Sequence, residues 1–161
     1  MDKPIIADSS PLIVLLKSDL EHILPELFEE IITPEAVWQE ILSGRNDDIA
    51  KKKLPFLSWI KRMPTATSSV TIENYNLGKG ETAVLNLALI TSESRVILDD
   101  FAARKCAKAL GIKFIGTGGL LVLAKQKGLI DSVSDALGKM QNAGLWLSDT
   151  IIELLKQKAG E

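Results

Sequence analysis

Three times in this chain a short apolar run ends on an acid or a glycine and passes straight into a helical pattern. The segments are 4-PIIAD-8 before 9-SSPLIVLLKSD-19, 95-RVILD-99 before 101-FAARKCAKAL-110, and 112-IKFIG-116 before 118-GGLLVLAKQKG-128. Apolar runs that do not alternate with polar residues read as strands buried on both faces. A strand that feeds a helix rejoins its sheet in parallel, because parallel neighbours need a long crossover. The pattern predicts an α/β fold: a mostly parallel central sheet with helices on both sides.

The rest of the chain is compatible with that frame. Ser9 or Ser10 is expected to cap the first helix, with Pro11 in its first turn. A helix over 20–30, interrupted at Pro25, leads to a strand at 30–33. Thr33-Pro34 opens a helix over 35–42 that Gly44 ends. A polar helical stretch over 46–54, a short strand within 57–63 and a loop from Pro64 to Ser69 follow. Gly78 and Gly80 then precede a long helix over 81–91, and further helical patterns run around 130–142 and 147–158. With 161 residues, 46% of them hydrophobic and 25% charged, the expectation is a single soluble domain over 1–161.

The formal charge of −2, from 19 basic and 21 acidic residues, means that any polyanion site must be local. The lone Cys106 has no internal disulfide partner, which favours a reducing compartment. The opening MDKPIIADSS is broken by Asp8 too early for a signal peptide. The stretch 82-TAVLNLALIT-91 falls short of the ~20 residues that span a bilayer. A cytoplasmic protein without membrane association is expected.

In parallel sheets, sites form beyond the carboxyl ends of the strands. Asp8 ends the first strand, and Asp99 and Asp100 end another. In the helix over 35–42, Glu40 shares a face with Val37 and Ile41; in the helix over 81–91, Glu81 shares one with Val84, Leu85 and Ala88. If these carboxylates meet, mutual repulsion raises their pKa values unless cations neutralise them. Hard oxygen donors of this kind suit Mg²⁺ or Mn²⁺, which support phosphodiester hydrolysis without a protein nucleophile. His22 is the one histidine and Cys106 the one cysteine, too little for a zinc cluster, a Cys-His pair or a Ser-His-Asp site.

Each residue also has a plainer reading. Asp8 can satisfy amides of the following helix, and Glu81 in a first turn gains ~0.3–1 kcal/mol from the helix dipole. Adjacent strand residues face opposite sides, so Asp99 and Asp100 share a cleft only if the strand stops there; Asp99 is then the ligand and Asp100 the cap. Arg104, with Lys105 and Lys108, is either a solvated helix face or a phosphate holder. Thr117, in 116-GTGG-119, could lend its hydroxyl and nearby amides to a phosphate. Ser10 could support a neighbouring ligand. No phosphate-cradling glycine loop and no dinucleotide fingerprint is present.

Taken in order, IIADSSPLI, PEAVWQEI, GKGETAVLNLA, VILDDFAARKCAKALGI and GTGGLLVLAKQKGLI resemble the PIN-domain family over nearly the whole chain, and within it the prokaryotic branch related to VapC-type toxins. The resemblance implies a three-layer sandwich and an acidic cluster that binds Mg²⁺ or Mn²⁺ and cuts RNA. The cluster maps to Asp8, Glu40, Glu81 and Asp99 or Asp100, with Ser10 at a position where Ser, Thr or Asn often follows the first Asp. Many toxin members carry Asp at the third position and Thr-x-Asp at the fourth, where this chain has Glu81 and Leu98-Asp99-Asp100. The resemblance further implies a homodimer and a small antitoxin with a DNA-binding part. A binding or regulatory module that keeps the cleft without turnover is the alternative. A receiver-type phosphoacceptor wants an acidic pair after its first strand, where this chain has Asp8 alone.

Overall fold

The computed structural model describes residues 3–161. Its sheet contains β1 (Ile5–Ala7), β2 (Ile31–Pro34), β3 (Ile60–Met63), β4 (Arg95–Ile97) and β5 (Lys113–Ile115) in the order β3-β2-β1-β4-β5. Every pairing is parallel, so the expected mostly parallel sheet has no antiparallel edge among the described residues. The helices are α1 (Ser9–Lys17), α2 (Ile23–Leu27), α3 (Glu35–Leu42), α4 (Ile49–Lys53), α5 (Val70–Glu73), α6 (Lys79–Ile90), α7 (Phe101–Ala109), α8 (Thr117–Gln126), α9 (Val133–Asn142) and α10 (Asp149–Lys158). Among the described residues, no helix is long and apolar enough to cross a membrane.

Buried apolar runs explain why the middle of the sheet forms. Ile5, Ile6 and Ala7 of β1 are sealed from solvent, as are Val96 and Ile97 of β4. Leu12, Leu15 and Leu16 of α1, Val84 and Leu85 of α6, and Leu120 and Leu121 of α8 join the same core. Chain order runs outward from β1 through β2 to β3 on one side and from β4 to β5 on the other. β1 and β4 are therefore the neighbours at which the winding reverses, and their register pairs Ala7 with Ile97. The crevice beyond this reversal is where such a sheet places a site.

Several boundaries differ from the sequence reading. Pro25 does not interrupt a helix over 20–30; it lies in the first turn of the short α2, where its missing N–H removes no helical bond. The polar stretch 46–54 is helical only from Ile49 and tightens into a 3₁₀ turn at Leu54–Phe56. Directly after the expected loop, α5 forms a single turn held by the buried Ile72, which is too short to leave a periodic signature. At the far end, the Glu161 carboxylate accepts hydrogen bonds from Lys125 Nζ (2.8 Å) and from the amides of Val133 (2.6 Å) and Ser134 (3.1 Å). It thereby fastens the last residue to the start of α9.

Because Ile6 is fully buried in the central strand, Ile6→Ala leaves a cavity between the two helix layers. The expected loss is about 3–4 kcal/mol, read as a lower urea midpoint with an unchanged slope. A loss below about 1 kcal/mol would contradict this core assignment.

Candidate functional site

β1 stops at Ala7, so Asp8 stands at the strand-to-helix junction with extended backbone (φ −77°, ψ 161°) and is the N-cap of α1. Its Oδ1 accepts the Ser9 amide at 2.8 Å, and only 2% of the residue is exposed. The expected cap at Ser9 or Ser10 is thus displaced by one residue, because the short Asp side chain already reaches the first free amide. With the cap supplied by Asp8, the Ser9 hydroxyl is free to turn outward, and its Oγ donates to Glu40 Oε2 at 2.6 Å. Ser10 is exposed, so the serine that engages the acidic group is Ser9.

Glu40 reaches this point from α3. It is more exposed than its place beside Val37 and Ile41 suggests, because it lies at the rim of the apolar stripe and its carboxylate passes over the start of α6. A Cβ on Gly80 would sit 3.0 Å from the Glu40 carboxyl carbon, so the glycine lets that carboxylate lie close over the helix start. One residue later, the half-buried Glu81 turns its Oε2 back to accept the Gly78 amide at 2.9 Å. It helps to cap the helix that carries it.

β4 ends at Ile97, which leaves Asp99 and Asp100 beyond the strand. Asp99 Oδ1 accepts the Thr117 amide at 2.8 Å, and Oδ2 accepts the Thr117 hydroxyl. The guanidinium of Arg104 lies 3.6 Å from Asp99, while its Nε donates to the Leu98 carbonyl at 2.7 Å and its plane covers the Phe114 ring. Thr117 is fully buried. Thr117 and Arg104, expected from sequence to support a ligand or to hold a phosphate, both contact and fix Asp99. Asp100 is exposed and caps α7, accepting the Ala103 amide at 2.9 Å. The strand stops before the doublet, and Asp100 takes the cap position expected of it.

Asp8 is where the fields of the group meet. Burial pushes its pKa up to about 7; the charges of Glu81, Glu40 and Asp99 add to the rise, and the Ser9 amide opposes it. Four carboxylates from four parts of the sequence thus share one local field at the β1/β4 reversal, without Asp100. As placed, no three His, Cys, Asp or Glu side chains among the described residues crowd closely enough to ligate one ion. The reason is visible in the tethers: Ser9 holds Glu40, Gly78 holds Glu81 and Thr117 holds Asp99. In donor chemistry the group still fits a hard divalent cation, since it offers only carboxylate oxygens around a buried acid that pairs with no cation among the described residues.

The raised pKa has a consequence for stability. Between about pH 4 and pH 7 folded Asp8 keeps a proton that the unfolded chain has lost, so its stabilising contribution is full below that window and disappears as pH rises through it. Glu35, Asp48 and Glu161 are shifted the other way, and their effects fall at lower pH. In chelator, the wild type should lose stability from pH 5 to pH 8, by at most about 2–3 kcal/mol from this group. Asp8→Asn should flatten that slope in thermal melts across the range; an unchanged slope would refute the assignment.

No curated protein matches this chain. A family model described as a PIN domain matches residues 4–161. With that match covering almost all of the sequence, and with the acids gathered where the sheet reverses its winding, the chain belongs to the PIN-domain family, whose fold is of nuclease type and whose members typically bind divalent metals.

Proposed function

We propose that this protein is a Mg²⁺- or Mn²⁺-dependent endoribonuclease that serves as the toxin of a toxin–antitoxin pair. The observation that carries the reading is the convergence of Glu40, Glu81 and Asp99 on the buried Asp8 at the β1/β4 reversal. Asp8, Glu81 and Asp99 are the residues that would hold the cation, with the Asp100 carboxylate committed to α7. A bound divalent cation supplies positive charge to a phosphodiester under attack and lowers the pKa of water.

The chain's own groups have separable parts in this reading. Arg104 and Thr117 hold the Asp99 carboxylate in place and aimed. Glu40 is the most solvent-accessible of the four acids and has one carboxylate oxygen tied to Ser9. It is suited to accept the proton of the attacking water through its other oxygen. The exposed Lys79, next to Gly80 and Glu81, and the exposed Lys105 and Lys108 on α7 supply the local basic charge that a nucleic-acid backbone needs on a chain with no net positive charge. A homodimer, an antitoxin with a DNA-binding part and a cytoplasmic location belong to the same proposal. The first two are supported by the resemblance, the last by the unbridged, buried Cys106.

One observation favours a second reading. Asp99 is held by two hydrogen bonds from Thr117 and by Arg104, which would suit a nucleic-acid-binding or regulatory module that never loads a cation.

Cleavage of RNA by the purified chain should require Mg²⁺ or Mn²⁺ and vanish in chelator. Altering groups that merely support metal ligands costs 10–100-fold, so Asp8→Asn and Asp99→Asn should each lower the rate by about 10²-fold or more. Asp100→Asn keeps an N-cap side chain and should leave the rate within a few-fold of wild type. Cleavage that survives chelator and Asp8→Asn would defeat the enzyme reading. Binding without cleavage over a broad panel of RNAs would establish the second.

A further inference from the structure

Beside the acid cluster lies a cleft of about 370 Å³ that the proposed chemistry does not use; Asp99 and Arg104 form its inner wall, and Trp146, Ile151 and Lys158 form its outer part. This volume is at the lower end of the range that holds small ligands. Its most unusual member is Trp146, which is 82% exposed. The chain buries most of its large apolar side chains and leaves this indole ring in water.

That exposure is built by the backbone. α9 is followed after its cap Ala143 by Gly144, whose φ of +111° turns the chain away, and the Leu145 amide returns to the Met140 carbonyl at 2.9 Å. Ser148 then caps α10, its Oγ accepting the Ile151 amide at 3.3 Å. Both ends of the connection are fixed, and Leu145 and Leu147 pack against the core. The residue between them is thrown outward onto the mouth of the cleft. A second exposed aromatic, Phe101, opens α7 two residues after Asp99 and is 81% exposed.

The geometry points to this cleft as a subsite for one nucleotide of a single-stranded nucleic acid, with its base stacked on Trp146 and its backbone led past Lys158 toward the acid cluster. The inference rests on the nucleic-acid half of the function proposed above. Three features select this occupant. The cleft is continuous with the acid cluster through Asp99, so a strand cut there must place a neighbouring nucleotide close by. Its flat apolar ring and the Lys158 ammonium match the two halves of a nucleotide, the base and the phosphate. The Asp99 charge at the inner wall is already paired with Arg104, so it does not repel the strand as a free carboxylate would.

The test uses the full chain in chelator and a fluorescein-labelled single-stranded RNA roughly eight nucleotides long, a length within the usual range of such sites. Stacking on one aromatic side chain is worth enough that Trp146→Ala should weaken binding about tenfold or more. Trp146→Phe should restore most of the loss, and Lys158→Ala should weaken binding and lessen its salt dependence. Unchanged thermal midpoints would show that the variants fold. The inference is overturned if Trp146→Ala binds as tightly as wild type, if the wild type binds no RNA, or if the loss in Trp146→Ala coincides with a change from dimer to monomer in light scattering, which would assign the ring to an interface between copies. Cleavage of the same RNA with Mg²⁺ or Mn²⁺ is read in parallel. Trp146-dependent binding without cleavage would remove the nuclease reading and leave the subsite, whereas cleavage with Trp146-independent binding would do the reverse.

Discussion

Asp8 is kept out of water at the end of β1 with three other carboxylates in its field, and the neighbouring elements are arranged around that unfavourable placement. An isolated buried charge is too costly to keep, and here the folded chain meets the difficulty by raising the pKa of Asp8 to about 7. The other three acids are each given a donor. Ser9 on α1 binds Glu40 on α3; Thr117 on α8 binds Asp99 after β4; Gly78 binds Glu81 at the head of α6. Hydrogen bonds to charged groups contribute roughly 1.5–3 kcal/mol, so the donors that hold the acids apart also join helices that are distant in sequence. The electrostatics of the site and the assembly of the carboxyl end of the sheet are one arrangement.

The features legible in the sequence are those set by local period and abrupt termination. Apolar runs at 5–7 and 95–97 fix where two strands lie, and the acids immediately after them fix which end of the sheet is charged. The stop of the strand before the doublet, with a helical pattern directly behind it, is enough to expect Asp100 as a cap. What stays hidden depends on contacts between distant segments. The doublet Ser9-Ser10 offers two hydroxyls, and only the placement of the cap at Asp8 determines that Ser9 meets Glu40. Thr117 looks like a phosphate donor in the sequence because its partner Asp99 lies 18 residues away. Arg104 sits one helical turn from that same acid, yet its fold-back over Phe114 follows from β5 packing beside β4. Gly80 carries a signal that sequence could reveal: in GKGE, a glycine inside a helix start suggests a close approach by another group, and that group is the Glu40 carboxylate.

On the nuclease reading, the tethers and the cation compete for the same oxygens. Glu81 gives up one amide and Glu40 one hydroxyl, while Asp99 is gripped by an amide, a hydroxyl and a guanidinium, so the three acids differ in how readily they turn toward a cation. Asp99 is the most firmly positioned; Glu40 and Glu81 are the ones with freedom to adjust. Asp8 adds a further condition, because a ligand must be deprotonated and this acid keeps its proton until the pH approaches 7. Proton and cation are then alternative answers to the same buried charge. On that reading a cation would have to displace the Asp8 proton, so loading would be favoured as pH rises, and activity would depend on the residue around which this end of the sheet is built.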